Sequence, residues 1–139
     1  MILVHPEGWA KPAGYTDGVL AATGRILCLS GQVGWNPVTA VIETDDFARQ
    51  AEQALENVVA VLKASGSGPE QVVRLTWYVT DRQAYIDSRK EIGASYRRLF
   101  GRHYPAMSVV VVAGLLEERA RLEIEATAVI PHTVEKLET

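Results

Sequence analysis

Tyr104-Pro105-Ala106-Met107-Ser108 runs straight into Val109-Val110-Val111-Val112-Ala113. Consecutive β-branched side chains suit a pleated strand and crowd the interior of a helix. The run is also far short of the roughly 20 apolar residues that a membrane-spanning helix needs. It therefore predicts a strand buried on both faces. Eight residues beyond Ala113 begins a second strand, Arg121-Leu122-Glu123-Ile124-Glu125-Ala126-Thr127-Ala128-Val129. This one alternates. Leu122, Ile124, Ala126 and Ala128 share one face, and Arg121, Glu123, Glu125 and Thr127 share the other.

Working upstream, Val72 to Thr80 is β-branched and aromatic and predicts another strand, with Val73, Leu75, Trp77 and Val79 on one side and Val72, Arg74, Thr76 and Tyr78 on the other. Between it and the valine run, Tyr85, Arg89, Ile92, Tyr96 and Leu99 lie on one side of a helix, with Gly101 beyond its end. Before it, Thr44, Asp45 and Asp46 offer N-caps for a helix of about five turns. Phe47, Ala51, Ala54, Leu55, Val58, Val61 and Leu62 form its apolar stripe, and Gly66 supplies its stop. Residues 18 to 22 and 25 to 31 read as strands of a hairpin around Thr23-Gly24, and Gly31 to Ala40 as a loop. Residues 1 to 17 read as an irregular arm and Lys136 to Thr139 as a frayed tail.

The order is β-β-α-β-α-β-β. It predicts an α+β fold, a two-layer sandwich of a mixed β-sheet with two helices on one face, in a single domain spanning residues 1–139. The other sheet face carries both polar and apolar side chains, which predicts that an oligomer hides it.

Composition bounds the function. Hydrophobic residues make up 47% of the 139, enough for a core without disulfides. A net charge of −3 provides no field for phosphate backbones, so nucleic acid is not an expected partner. Cys28, the one cysteine, sits in the apolar run Arg25-Ile26-Leu27-Cys28-Leu29 and reads as a buried reduced thiol. No signal segment or membrane span is recognisable, which predicts a cytoplasmic protein. His5, His103 and His132 lack metal-ligand spacing, and neither a phosphate loop nor a Ser/His/Asp arrangement is present, so no metal and no cofactor are expected. Arg97, Arg98, Arg102 and His103 read as a solvated cluster complementing the dipole at the end of the second helix. Trp9 and Trp35 fall in predicted loops, where they either cap a cleft or bury area.

Several segments together resemble the Rid (YjgF) family, the reactive intermediate deaminases. They are Gly14-Tyr15-Thr16-Asp17, Leu29-Ser30-Gly31-Gln32-Val33, Gln53-Ala54-Leu55-Glu56-Asn57-Val58, Val79-Thr80-Asp81, the Pro105-Ala106-Met107-Ser108-Val109 strand and the closing Glu123-Ile124-Glu125-Ala126. The resemblance spans Gly14 to Ile130. It implies a chorismate mutase-like homotrimer whose sheets face inward, with small-molecule sites in clefts between subunits. It also implies cofactor-independent, deaminase-like hydrolysis of a small reactive imine or enamine.

By the same resemblance Glu123 is the catalytic candidate, orienting or activating water beside a C=N carbon; its alternative is an exposed or salt-bridged strand residue. Tyr15 lines the pocket or packs the arm, and Ser30 and Gly31 form a pocket wall or a plain strand-end turn. Ser108 and its neighbouring backbone would hold the polar end of a ligand. Three positions depart from the family pattern. Met107 stands where the deaminases place an arginine that grips the substrate carboxylate, Val109 where several relatives carry cysteine, and Gly93 near an asparagine of some relatives. A thioether offers neither charge nor donor, so the implied cleft is more apolar and its substrate differs from the usual 2-imino acid. Arg74 and Arg121 are the candidates to replace the lost arginine. Arg121 lies roughly 6.5 to 7 Å from Glu123 along one strand face, and an ion pair is its expected role. The alternative to an enzyme is a non-catalytic trimer that binds or senses a small metabolite.

Overall fold

The computed structural model describes residues 1–132, so the tail expected at Lys136 to Thr139 lies outside the described residues. The elements are β1 (Ile2–Val4), β2 (Gly18–Leu20), β3 (Gly24–Val33), α1 (Phe47–Ala64), β4 (Val72–Val79), α2 (Arg82–Asp87), α3 (Arg89–Phe100), β5 (Ala106–Val111) and β6 (Leu122–Pro131). The main sheet has the order β3-β6-β4-β5. β4 and β5 run parallel, and the other neighbours are antiparallel. This is the mixed sheet with helices on one face that the pattern predicts.

α1 forms because its apolar residues recur every three or four positions and because Asp46 caps it, accepting from the Arg49 amide at 2.9 Å. Gly66 ends it at a φ of 80°. Its stripe packs on the alternating residues of the sheet: Leu55, Val58 and Leu62 meet Leu75, Leu122 and Ile124, all fully buried. Each such side chain contributes about 1.5–3 kcal/mol by leaving water. Val61 lies at the stripe's rim, 36% exposed. Two buried amides lock α1 to the loops. Gln50 Nε2 donates to the carbonyls of Thr44 and Arg119, while its Oε1 accepts from the Arg121 amide at 2.8 Å. Asn57 Nδ2 donates to the carbonyls of Val33 and Trp35. Trp35 in turn packs on a small second cluster of Val33, Ile42 and Ala120, whereas Trp9 is exposed.

Several expectations need correction. β2 pairs with β1, Ile2 opposite Leu20, so Thr23-Gly24 is not a hairpin and part of the arm is strand. β3 instead spends its hydrogen bonds on β6, a ten-residue partner, and continues to Val33. The second helix breaks at Ser88 into α2 and α3, with Asp81 capping α2 through the Ala84 amide at 3.0 Å. A bulge between Val72 and Arg74 turns Val72, not Val73, into the core. Cys28 is exposed, because it falls on the β3 face away from the helices. β5 is an edge strand, so the valine run is open in this chain: Val110 is 41% and Val111 56% exposed.

Candidate functional site

Two groups of side chains lie on opposite faces of the sheet, the first at the β5 edge and the second centred on β3 and β6. The first lines a cavity of about 450 Å³ between β5, α3 and the arm. Met107 and Val109 stand in register with Leu75 and Trp77 of β4, on the helix side. Gly93 comes from α3. Tyr15 reaches the cavity because the arm is tied to the start of β5: Thr16 donates its amide to the Pro105 carbonyl at 3.2 Å and bridges Ala106.

Aromatic rings form most of the wall. Tyr96 stacks on Tyr104 and Phe100, at 5.3 and 4.7 Å between centroids, and its hydroxyl donates to the His103 carbonyl at 2.5 Å. Tyr85 meets Trp77 edge-on at 6.0 Å. Burial pushes the phenols of Tyr96 and Tyr85 above their usual range, with Arg89 partly opposing this at Tyr85. Both are neutral wall residues rather than proton carriers. Trp77 borders the same cavity, and its buried indole N–H has no partner among the described residues.

The second group sits on the helix-free face. In β3 the residues Ser30 and Gly31 both fall opposite the single Glu125 of β6, a bulge that the alternation of the sequence does not reveal. Gly31 is bare on the side where Glu123 lies: a Cβ there would come within 2.5 Å of the Glu123 carboxyl carbon. The half-buried Glu123 thus rests its carboxylate directly on main chain. In the next row of side chains, Ser108 of β5 is in register with Thr76, and Thr76 with Glu125. Tyr78 donates its hydroxyl to Glu125 at 2.6 Å, and that bond holds the Tyr78 phenol above its usual range.

The fold therefore gathers Tyr15, Gly93, Met107 and Val109 in one place and Ser30, Gly31 and Glu123 in another, while Ser108 shares the face of the second group but lies on β5, two strands from Glu123. Neither cation named as a substitute for the lost arginine lines the cavity in one chain. Arg121 faces Asp81 at 3.5 Å, donates to the Asp45 carbonyl and covers the Phe47 ring at 5.5 Å. Arg74 lies on the helix-free face beside Thr76 and Tyr78. The basic cluster is not a uniform solvated face either. Arg98 pairs with Glu52 and Glu56 of α1, and His103 Nε2 meets the Val72 carbonyl, but Arg97 lines the cavity together with Arg89. The sequence did carry that signal, in the spacing Arg89, Gly93, Arg97. No group of metal-binding side chains and no helix long and apolar enough to cross a membrane occurs among the described residues.

Three comparisons bear on this arrangement. The profile of the family described as Endoribonuclease L-PSP matches residues 9–130. The chain is 36% identical, over 118 residues, to the 2-iminobutanoate/2-iminopropanoate deaminase of Escherichia coli K12, covering 83% of this chain and 86% of that one. It is 34% identical to Protein DfrA of Myxococcus xanthus, covering 91% and 93%. Among solved structures, the Rid family protein YyfB of Yersinia pestis, of unknown function, superposes with a TM-score of 0.79 at 32% identity, covering 93% of this chain and 98% of that one.

Proposed function

The chain belongs to the endoribonuclease L-PSP family, the Rid family, and from that membership we propose that it hydrolyses a small imine or enamine without a cofactor, in a cleft completed by a second copy of the chain. The observation that carries the reading is the Glu123 carboxylate resting on the bare backbone of Gly31. A half-buried carboxylate set against main chain is suited to take a proton from water. The hydroxide adds to the C=N carbon and the proton passes to nitrogen, giving a carbinolamine; its hydroxyl proton then moves to the amino group as the C–N bond breaks and the C=O bond forms, and a carbonyl compound and ammonia leave. Tyr15, Met107 and Val109 wall the substrate's body, with Gly93 leaving room beside them. Ser30 and Gly31 flank the carboxylate from β3, and Ser108 faces the same side of the sheet from β5.

The split geometry supports completion by a second subunit. In one chain the walls and the carboxylate lie on opposite faces of the sheet, so a site that uses both needs the cavity edge of one copy against the helix-free face of another. The resemblance to homotrimers supplies the expected number of copies. The exposed thiol of Cys28 is compatible with a reducing compartment such as the cytosol.

The test is to mix the protein with 2-iminobutanoate generated in situ and with less polar imines. Faster ammonia release that drops about 10²–10⁴-fold in Glu123→Ala supports the reading. No acceleration of any imine, or an unchanged rate in the variant, overturns it. Met107 favours a second reading, a non-catalytic trimer that binds a small metabolite, which thermal stabilisation by ligands without turnover would support. Ribonuclease action, carried in the family's name, fits poorly with a net charge of −3.

A further inference from the structure

We propose that the anion-binding role vacated at Met107 has moved across the cavity to helix α3, where Arg97, seconded by Arg89, grips a carboxylate whose flat apolar body lies among the tyrosines. The inference deepens the proposed function and rests on it for the location of the site.

Helical spacing puts Arg89, Gly93 and Arg97 on one face of α3, four residues apart, and all three line the cavity. Both guanidiniums are exposed, and neither meets a carboxylate within 4.0 Å among the described residues. Their neighbour Arg98, about 100° further round the helix, is engaged by Glu52 and Glu56. Arg97 and Arg89 thus bring positive charge without a carboxylate partner to the cavity side, although Arg89 Nε also donates to the Ile86 carbonyl at 3.3 Å.

Gly93 leaves Arg97 room there. A Cβ at position 93 would lie 3.2 Å from Arg97 Nη1, so the guanidinium folds back over the gap that the missing side chain leaves. The strand offers no fork at Met107, and the helix has room for one at Arg97. A guanidinium is suited to this because its planar donors engage both carboxylate oxygens at once.

The body of the ligand follows from the remaining wall. Tyr15, Tyr85, Tyr104, Trp77, Met107 and Val109 present rings and apolar groups around about 450 Å³. That is room for a phenyl-sized group, and ring faces and a thioether favour one. The preferred substrate class is therefore a 2-imino acid with an aromatic side chain.

The test separates binding from turnover. Phenylacetate and its neutral counterpart phenylacetamide are titrated by calorimetry into the native chain and into Arg97→Ala, Arg97→Lys and Arg89→Ala. The expected result is saturable binding of the acid and much weaker binding of the amide. Arg97→Ala should lose about tenfold to a hundredfold in affinity, Arg97→Lys should recover part of it, and Arg89→Ala should lose less. Equal affinity for acid and amide, no saturable binding of the acid, or unchanged binding in both alanine variants overturns the proposal. In parallel, 2-iminobutanoate and 2-imino-3-phenylpropanoate are generated in situ. Arginine-dependent binding without hydrolysis of either leaves the anchor standing and removes the hydrolase reading. Hydrolysis that is insensitive to Arg97 and prefers the smaller imine does the reverse. Both arginines are exposed, so the variants keep the fold, and matched melting temperatures verify it.

Discussion

A methyl group at position 31 would overlap the carboxylate of Glu123, the free end of a side chain rather than main chain. Gly31→Ala should therefore push the carboxylate aside and leave the fold in place. We expect a stability change within about 1 kcal/mol by denaturant titration, together with a loss of imine hydrolysis approaching that of Glu123→Ala. Wild-type activity in Gly31→Ala would show that the seat of Glu123 has no bearing on the reaction. This contact also marks what single residues disclose. Met107 was legible as an altered site because its neighbours Pro105, Ala106 and Ser108 kept their pattern. The closeness of Gly31 to Glu123 was not, because it depends on a β3–β6 register shift that places Ser30 and Gly31 opposite one residue. Arg97 was visible as a charge but read as part of a solvated cluster, because the direction of each arginine depends on which neighbour takes it. Arg98 has Glu52 and Glu56 to meet, and Arg97 has a cavity.

Among the elements, α1 was read nearly to the residue, since eighteen residues of stripe, an aspartate cap and a stopping glycine all agree. β6 was legible for the same reason, its buried and half-buried residues alternating without a break from Leu122 to Thr127. The valine run misled because a continuous apolar strand reads as buried on both sides, while burial depends on a partner that a single chain does not hold. β1 and β2 were missed as a pair because three-residue strands show no period. The segment from α3 to β5 is tied by the Tyr104–Tyr96–Phe100 stack and by the Tyr96 hydroxyl on the His103 carbonyl. Burial raises the Tyr96 phenol above its usual value of 10.0. A raised folded-state value means that the folded chain keeps a proton that the unfolded chain gives up. Stability from this source is full below pH about 10 and falls as pH rises further. Tyr96→Phe should lose about 1 kcal/mol near pH 8 with the hydrogen bond, and its stability should fall less steeply between pH 9 and 11. Denaturant titrations across that range measure both effects, and parallel curves for the two proteins would refute the assignment.

For the molecule as a whole, the two halves of the candidate site pose a geometric problem with few solutions. Tyr15, Met107 and Val109 open on the helix side at the β5 edge, and Glu123 opens on the far face. A substrate small enough for the cavity cannot touch both through the sheet. Adjacent copies can bring them together if the helix-free faces turn inward. That arrangement would also cover the open edge strand, whose free hydrogen-bonding groups and exposed valines are a liability in a lone chain. Val110 lies on the helix-free face, in register with Tyr78, which is in turn in register with Glu123. It is 41% exposed, so a charge there costs the isolated fold little. A charge buried between copies without a partner would cost the assembly several kcal/mol. The native chain should sediment at three times its 15.2 kDa. Val110→Asp should sediment as a folded monomer, with imine hydrolysis lost although Glu123, Arg97 and Met107 are all intact. A native chain that sediments as a 15.2 kDa monomer and hydrolyses imines at full rate would mean that one chain holds the whole site, and the division between wall and carboxylate would then require a different catalytic group on the helix side.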